Sequence, residues 1–191
     1  MTLEIPTLLF KNAKAWETFL AKNSGTSNGI WLQLAKKASG TTSVTYSEAL
    51  DIALCHGWID GQKKAFDESF WLQKFTPRGA RSIWSRINRE KALELIQSGR
   101  MKPAGLLAIE TAKANGRWAA AYDSQKSATV PVDFQAELDA HPDANTFFST
   151  LDSGNRYAIL FRIQTAKKPE TRSRRIQEFI AMLERKEKIH P

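Results

Sequence analysis

Residues 45–75, TYSEALDIALCHGWIDGQKKAFDESFWLQKF, decide the fold of this chain. Thr45 and Glu48 have the spacing of a capping box, in which a hydroxyl and a carboxylate satisfy the free N–H groups at a helix start. Apolar residues then recur at helical spacing as far as Gly57, which is placed to end the helix in the left-handed conformation. An extended segment is predicted to begin at Trp58.

A β-hairpin is predicted directly after this helix. Residues 62–66 and 70–75 are rich in strand-forming side chains, and residues 67–69, Asp-Glu-Ser, have the composition of a turn. Pro77 is expected to end the second strand, because proline has no N–H for the ladder.

The remaining chain adds strands in front and helices behind. Residues 8–10 and 30–34 read as strands, and Asn12 is placed to cap a helix between them. Asn88 is predicted to cap the next helix after the hairpin, and Pro103 to begin another.

A polar stretch, residues 123–132, is the predicted domain boundary. The fold class that follows is α+β. A small mixed β-sheet packed with helices is predicted over residues 1–125, followed by a C-terminal helical subdomain over residues 130–191.

Composition favours a cytoplasmic protein that is stabilised by packing. The chain has 191 residues and a single cysteine, Cys55, which cannot form an internal disulfide. The N-terminal residues do not form a secretory signal, and apolar stretches are too short for a membrane span. The formal net charge is +8, and residues 162–191 carry nine Lys or Arg against four Asp or Glu. This basic tail is either a solvated helix face or a nucleic-acid contact.

The segment 57–88 is the candidate binding site, because it concentrates aromatic, charged and hydroxyl side chains at the ends of predicted elements. The predicted ligand-binding residues are Trp58, Asp60, Lys63, Arg78, Ser82, Trp84, Ser85 and Asn88. Such a mixture suits a small polar or anionic ligand or a peptide, and a protein partner is also considered. No cofactor is predicted. The histidines and Cys55 lack metal-ligand spacing, and neither a glycine-rich phosphate loop nor a nucleophile elbow is present.

Several of these residues have two interpretations. Asp60 is either a general base or cation anchor, or simply part of an Asp-Gly turn. Arg78 could grip a carboxylate or phosphate with two bonds, or form an internal salt bridge. Ser82, Ser85 and Asn88, spaced by three, either share one face of a helical turn or act as caps.

Across residues 46–191 the chain resembles a known family. Gly57-Trp-Ile-Asp-Gly61, Phe75-Thr-Pro-Arg78, Pro103-Ala-Gly105 and Ala166-Lys-Lys-Pro-Glu-Thr-Arg-Ser-Arg-Arg-Ile176 are similar to motifs of the YdeI/OmpD-associated, or bacteriocin-protection, family. The resemblance implies a link to protection against bacteriocins and antimicrobial peptides and to porins, without an established reaction. His56 stands where that family has an aromatic residue.

Three functions are therefore considered from sequence. The first is a ligand- or partner-binding protein that uses the eight residues above. The second is an enzyme with Asp60 as base and Ser85 or Arg78 stabilising the developing charge. The third is nucleic-acid binding through the basic C-terminal helix.

Overall fold

The structure, a computed structural model, describes residues 5–191 and contains two compact units. The first consists of the described residues up to Trp84 together with Asn88–Ala119, and the second of Ser85–Ile87 and Ala120–Pro191. Within the described residues, no helix is both long and apolar enough to cross a membrane. The α+β fold class is confirmed. The division into domains 1–125 and 130–191 stays a prediction.

A four-stranded mixed sheet forms the first unit's scaffold, in the order β1-β2-β4-β3. Its strands are β1 Thr7–Leu9, β2 Ile30–Ala35, β3 Trp58–Ala65 and β4 Phe70–Pro77. β1 pairs with β2 in parallel, whereas β4 pairs antiparallel with both β2 and β3. Alternating burial along β2 shows that one face of the sheet packs into the core.

The hairpin differs from its sequence prediction in one respect. β3 runs continuously from Trp58, so Asp60-Gly61 lies inside a strand and the turn interpretation was wrong. The pairing register shifts between Asp60 and Lys63, and the Gln73 amide fills this bulge by donating to the Gly61 and Gln62 carbonyls at 2.9 and 3.2 Å. A bulge at this position interrupts the regular ladder and increases the local twist of the strand.

Four helices complete the first unit, although the third begins in the second unit. They are α1 Ala13–Asn23, α2 Tyr46–Cys55, α3 Arg86–Gln97 and α4 Pro103–Ala114. The predicted caps of the first two are confirmed. Asn12 accepts from the Ala15 N–H at 2.9 Å, and Thr45 and Glu48 form the reciprocal capping box of α2.

The predicted cap at Asn88 is wrong. α3 begins two residues earlier, at Arg86, and Asn88 therefore lies within its first turn. The reason is an interaction remote in sequence: the Arg86 N–H donates to the Tyr122 carbonyl at 2.8 Å, and Ser85 pairs with Tyr122 as a parallel bridge. These two contacts with Tyr122 fix the backbone at Ser85 and Arg86, and the helix therefore starts before Asn88.

Tryptophan and phenylalanine rings fill the core of the first unit. Trp16, Trp58 and Phe75 are fully buried, and Trp16 lies within ring contact of both others. The two indole N–H groups find backbone acceptors, Trp16 at Ala49 (3.0 Å) and Trp58 at Ser24 (3.3 Å). Burying these large rings with their N–H groups paired fixes α1 against the sheet and α2.

The second unit is helical in the part beyond Ala120. Its helices are α5 Val132–Ala140, α6 Pro142–Thr150, α7 Ser153–Gln164 and α8 Pro169–Glu184. They enclose one apolar core, in which Ile176, Ile180 and Leu183 of α8 pack with Phe134 and Ile159. The apolar residues of α8 recur at helical spacing and are buried in this packing.

A two-bond ion pair joins α5 and α8. Arg172 donates from Nε and Nη2 to the Asp133 carboxylate at 2.6 and 2.8 Å. These hydrogen bonds lower the pKa of Asp133, against the opposing effect of its partial burial.

This pair predicts a specific acid dependence. Because the pKa of Asp133 is lower in the folded state, its contribution to stability is complete above the unfolded-state pKa of about 3.9. That contribution is lost as the pH falls through the folded-state pKa. Asp133→Asn should therefore destabilise the protein by about 1 kcal/mol at neutral pH and reduce the fall in stability below about pH 4. Urea unfolding at several pH values measures this. Glu178→Gln, which removes the exposed partner of Arg174 at 3.9 Å, is the matched control, and an equal effect of both variants would contradict the assignment.

Candidate functional site

A cavity of about 330 Å³ opens in the first unit beside the end of the hairpin. We call it the Arg78 cavity. The residues that line it come from the ends of α1, α2 and β4, the start of β3, the loop after β4, and one face of α4; they are Ser24, His56, Gly57, Trp58, Pro77, Arg78, Gly79, Ala80, Ser82, Trp84, Ala104, Leu107, Ala108, Thr111, Ala112 and Asn115.

Two glycines allow the close backbone packing that forms the base of the cavity. Gly57 has φ +72°, and a Cβ there would lie 2.6 Å from the Ala104 carbonyl oxygen. A Cβ on Gly105 would overlap the Cys55 carbonyl and the Met101 sulfur, and would lie 2.8 Å from the Leu54 carbonyl. The start of α4 therefore packs directly on the backbone that ends α2.

The wall of the cavity pairs a cation with an aromatic ring. The Arg78 guanidinium carbon lies 3.6 Å from the centre of the Trp84 ring, within the range of a cation–π contact. Arg78 Nη1 also donates to the Ile83 carbonyl at 3.2 Å. Trp84 is buried and meets Trp118 edge to face at 4.8 Å. These contacts hold both rings and the guanidinium in fixed places at the wall.

A short loop forms the rim. The Ser82 N–H donates to the Gly79 carbonyl at 2.9 Å, while the Ser82 hydroxyl accepts from the Gly79 N–H at 3.1 Å. Asn115 at the end of α4 holds this loop by donating to the Ala80 carbonyl at 2.9 Å. The hydroxyl proton of Ser82 is not needed for that contact and is available as a donor at the rim.

His56 is a buried polar residue of the lining, 7% exposed. Its Nε2 is buried and has no hydrogen-bond partner among residues 5–191. Burial lowers the pKa of His56; the Glu17 carboxylate opposes this shift and Lys102 reinforces it. The imidazole is therefore neutral at pH 7.

This burial predicts a pH dependence at mildly acidic pH. A histidine whose pKa is lower in the folded state makes its full contribution to stability above its unfolded pKa of about 6.5. That contribution to stability falls as the pH drops toward the pKa of the folded state. We expect the free energy of unfolding to decrease between about pH 7.5 and about pH 5.5, and His56→Phe to flatten that slope. Chemical unfolding across this range tests it, with His190→Gln as a control for losing an imidazole. An unchanged slope in His56→Phe would contradict the assignment.

The eight predicted ligand-binding residues do not all meet in one place. Trp58, Arg78, Ser82 and Trp84 line the Arg78 cavity. Asp60 lies further along β3, where its carboxylate accepts a hydrogen bond from the Tyr46 hydroxyl at 2.7 Å. Lys63 lines a separate hollow of about 380 Å³ together with Lys64, Ala65 and Trp71.

The three residues predicted to share a helical face are also separated. Ser82 is in the rim loop, Ser85 precedes α3 and belongs to the second unit, and Asn88 is inside α3. No single helical turn connects them, because the helix begins only at Arg86. Their interpretation as one helical face was therefore wrong.

Cys55 has the properties of a buried structural residue. It is 3% exposed, and burial raises the pKa of its thiol. Within residues 5–191, no three His, Cys, Asp or Glu side chains come together in a way that could hold a metal ion.

Two arginines of the basic tail serve the packing of the second unit. Arg172 Nη1 donates to the Ile163 carbonyl at 2.9 Å, and Arg175 Nη1 donates to the Arg162 carbonyl. Both acceptors are carbonyls in the last turn of α7, and the Ile163 carbonyl also accepts from the Ala166 N–H at 3.2 Å. The guanidinium groups of Arg172 and Arg175 are therefore partly engaged in intramolecular hydrogen bonds.

Sequence reasoning missed the contribution of α4 to the site. Ala104, Leu107, Thr111 and Asn115 supply one side of the Arg78 cavity, although they lie 16 or more residues beyond the segment 57–88. The available signal was the pair of glycines, Gly57 and Gly105, since glycines in such places often mark a close backbone approach.

Two family models match different parts of the chain. A domain of unknown function, DUF8412, matches residues 8–108, which is more than half of the chain and includes segment 57–88. The family described as bacteriocin-protection, YdeI or OmpD-associated matches residues 127–186, so the predicted resemblance is confirmed for the C-terminal part. No curated protein and no solved structure gives a significant match. The chain therefore belongs to the family of domain DUF8412, and it carries a match to the YdeI or OmpD-associated family in its C-terminal part.

Proposed function

We propose that the first unit is a binding module for a small anionic molecule, which occupies the Arg78 cavity. The observation that carries this proposal is the position of the Arg78 guanidinium on the Trp84 ring at the cavity wall. Among the lining residues that the structure describes there is no Asp or Glu. The electrostatic field of the cavity is therefore set by a cation, which favours an anion.

The size and surface of the cavity define the ligand further. A volume of about 330 Å³ is at the lower end of small-molecule sites, which span roughly 300–1,000 Å³. α4 contributes Leu107 and Ala108, and the opposite wall contributes the two tryptophans Trp58 and Trp84. A molecule with one carboxylate or phosphate group on a compact apolar or aromatic body matches this lining.

The polar groups of the cavity would orient such a ligand. A guanidinium recognises carboxylate and phosphate oxygens with short, charge-assisted hydrogen bonds. The Ser82 hydroxyl supplies a neutral donor at the rim, where the Gly79 N–H holds its oxygen in place. Anchoring of Ser82 and Arg78 before binding lowers the entropy lost on binding.

A zwitterion or a peptide is a poorer match for this cavity. A ligand ammonium group would be repelled by the Arg78 guanidinium, and Asp60, the acid predicted to anchor a cation, bonds to Tyr46 outside the lining. A peptide of several residues exceeds the volume. The enzyme hypothesis has less support than binding, because the proposed base Asp60 does not line the cavity.

We also propose that any protective effect of the protein against bacteriocins depends on this ligand site and occurs in the cytoplasm. The match over residues 127–186 to the family described as bacteriocin-protection supports the link to protection. A bacteriocin challenge of cells that express the protein or an empty vector gives the readout. Equal survival of both would remove this part of the proposal.

Intrinsic tryptophan fluorescence tests binding in the unmodified protein. Titration with benzoate, acetate and inorganic phosphate should give a saturable change in fluorescence for at least one of them. Trp84 would report binding because its ring contacts Arg78, the residue proposed to bind the anion. Benzoate is expected to bind more tightly than acetate, since it fills more of the apolar lining. The absence of saturation by any of the three at millimolar concentration would contradict the proposal.

A further inference from the structure

The strand register defines a second surface of the first unit, on the sheet face that bears Trp31. Residues directly opposite each other in adjacent strands point to the same face. Trp31 is opposite Lys74, and Gln33 is opposite Leu72, which in turn is opposite Lys64. We call this surface the Trp31 face and define it by Trp31, Gln33, Ala35, Phe70, Lys74 and Lys64; Leu72, on the same face, is buried.

The Trp31 face presents one aromatic ring with two ammonium groups beside it. The Lys64 ammonium lies 4.3 Å from the centre of the Trp31 ring, and the Lys74 ammonium lies 5.7 Å from it. Lys64 is exposed, and the other two side chains are half-buried. A flat ring that is accessible from solvent and flanked by ammonium groups is suited to a ligand with alternating aromatic and anionic parts.

The charge around this face has one sign. None of the six defining positions is an Asp or a Glu. The acids nearest to Lys64 in sequence are Asp60, Asp67 and Glu68. The Asp67 carboxylate is engaged by the Ser69 and Phe70 N–H groups at 2.8 and 2.7 Å, and the Asp60 carboxylate accepts from the Tyr46 hydroxyl at 2.7 Å. The cationic surface continues around the edge of β3, where Lys63 and Lys64 line the hollow beside Trp71.

An extended peptide is not the favoured occupant of this region. β3 is an edge strand, and a peptide would add to it by continuing the hydrogen-bonded ladder. The bulge between Asp60 and Lys63 interrupts a regular ladder, and lysines on an edge strand oppose such pairing. Recognition through the face of the sheet does not depend on a regular edge.

We propose that the Trp31 face binds single-stranded nucleic acid, with a base stacked on Trp31 and phosphates contacted by Lys64 and Lys74. Base stacking on an exposed ring with lysines beside it is the usual physical basis of strand binding without sequence preference. This proposal does not depend on the Arg78 cavity. It differs from nucleic-acid binding by the basic tail, because it places the contact in the first unit.

Fluorescence anisotropy with a labelled 15-nucleotide oligo-dT tests the proposal on the full chain. Binding should weaken steeply with added salt, and Lys64→Glu/Lys74→Glu should lower the affinity at least tenfold. The matched control is Lys167→Glu/Lys168→Glu, which makes the same change of charge in the basic tail and should lower it no more than about twofold. Trp31→Leu should reduce affinity about tenfold by removing the stack.

Each alternative outcome overturns the proposal. A larger loss in the tail variant would place the contact on the tail. Equal binding of a duplex of the same length would exclude base stacking, and binding of poly-glutamate without oligo-dT would indicate an acidic peptide. If Trp31→Leu does not fold by circular dichroism, the two double-lysine variants still decide between the two surfaces. No binding of oligo-dT at low salt removes the inference altogether.

Discussion

Gly105→Ala is expected to lower the free energy of unfolding by about 2 kcal/mol, although the same change in an open helix position would raise it by about 1 kcal/mol. Alanine is the better helix former, so propensity alone predicts stabilisation. At this position the new methyl group would overlap the Cys55 carbonyl and the Met101 sulfur. The backbone carbonyl cannot yield as a flexible side chain can, and α4 must move away from α2.

Gly57→Ala provides the controlled version of this experiment. Gly57 and Gly116 have nearly the same φ, +72° and +74°, so an alanine at either position costs about 1–2 kcal/mol for the left-handed conformation. Only at Gly57 would the Cβ also meet a backbone atom, the Ala104 carbonyl oxygen at 2.6 Å; at Gly116 nothing lies within 4 Å. Thermal and urea unfolding should therefore show a clearly larger loss for Gly57→Ala than for Gly116→Ala. Equal losses would show that the close approach of α4 to the end of α2 has no energetic role.

Arg78→Ala is expected to lower the affinity for benzoate, or for whichever anion of the fluorescence panel binds, by at least about tenfold. A charge-assisted hydrogen bond to a guanidinium contributes about 1.5–3 kcal/mol, and 1.4 kcal/mol corresponds to a factor of ten. Arg78→Lys should recover only part of the loss, because an ammonium keeps the charge and lacks the planar fork. Calorimetric titration of the three proteins gives the affinities.

Arg81→Ala is the matched control for this prediction. Arg81 is exposed in the same loop, three residues from Arg78, and does not line the cavity. The two variants change the net charge equally, so a general electrostatic effect would weaken binding in both. The proposal requires a loss in Arg78→Ala alone, and the same contrast should hold in the bacteriocin challenge if protection depends on the site.

Local signals in the sequence were sufficient for most elements of the first unit. The capping box at Thr45 and the glycine at position 57 bracket α2, since both are set by hydrogen bonds and dihedral angles within the helix itself. Runs rich in strand-forming side chains likewise located β2 and most of the hairpin. Features of this kind depend on neighbours within about four residues along the chain. They can therefore be predicted from the sequence alone.

Features that depend on partners remote in sequence could not be predicted from the sequence. The start of α3 is set by Tyr122, some 36 residues away, so the Asn88 cap could not be distinguished from an interior position. The bulge after Asp60 depends on the Gln73 amide of the facing strand.

The candidate site shows the same division. Trp58, Arg78, Ser82 and Trp84 were selected by their density in the sequence, and they line one cavity with the missed residues of α4. Lys63 was selected on the same ground and lines a different hollow. A segment rich in polar and aromatic residues indicates where a binding site is placed in the chain. Which of those side chains line a cavity is determined by the packing of α4 on Gly57.

The central claim is that an anion binds at Arg78 and Trp84, and side-chain NMR of the isotope-labelled protein tests it most directly. During a benzoate titration the Arg78 Nε–H and Trp84 Nε1–H signals should move together along one saturable curve, while the Arg81 signal stays in place. Movement of the Arg81 signal to the same extent, or saturation with the Arg78 and Trp84 signals unmoved, would contradict the account.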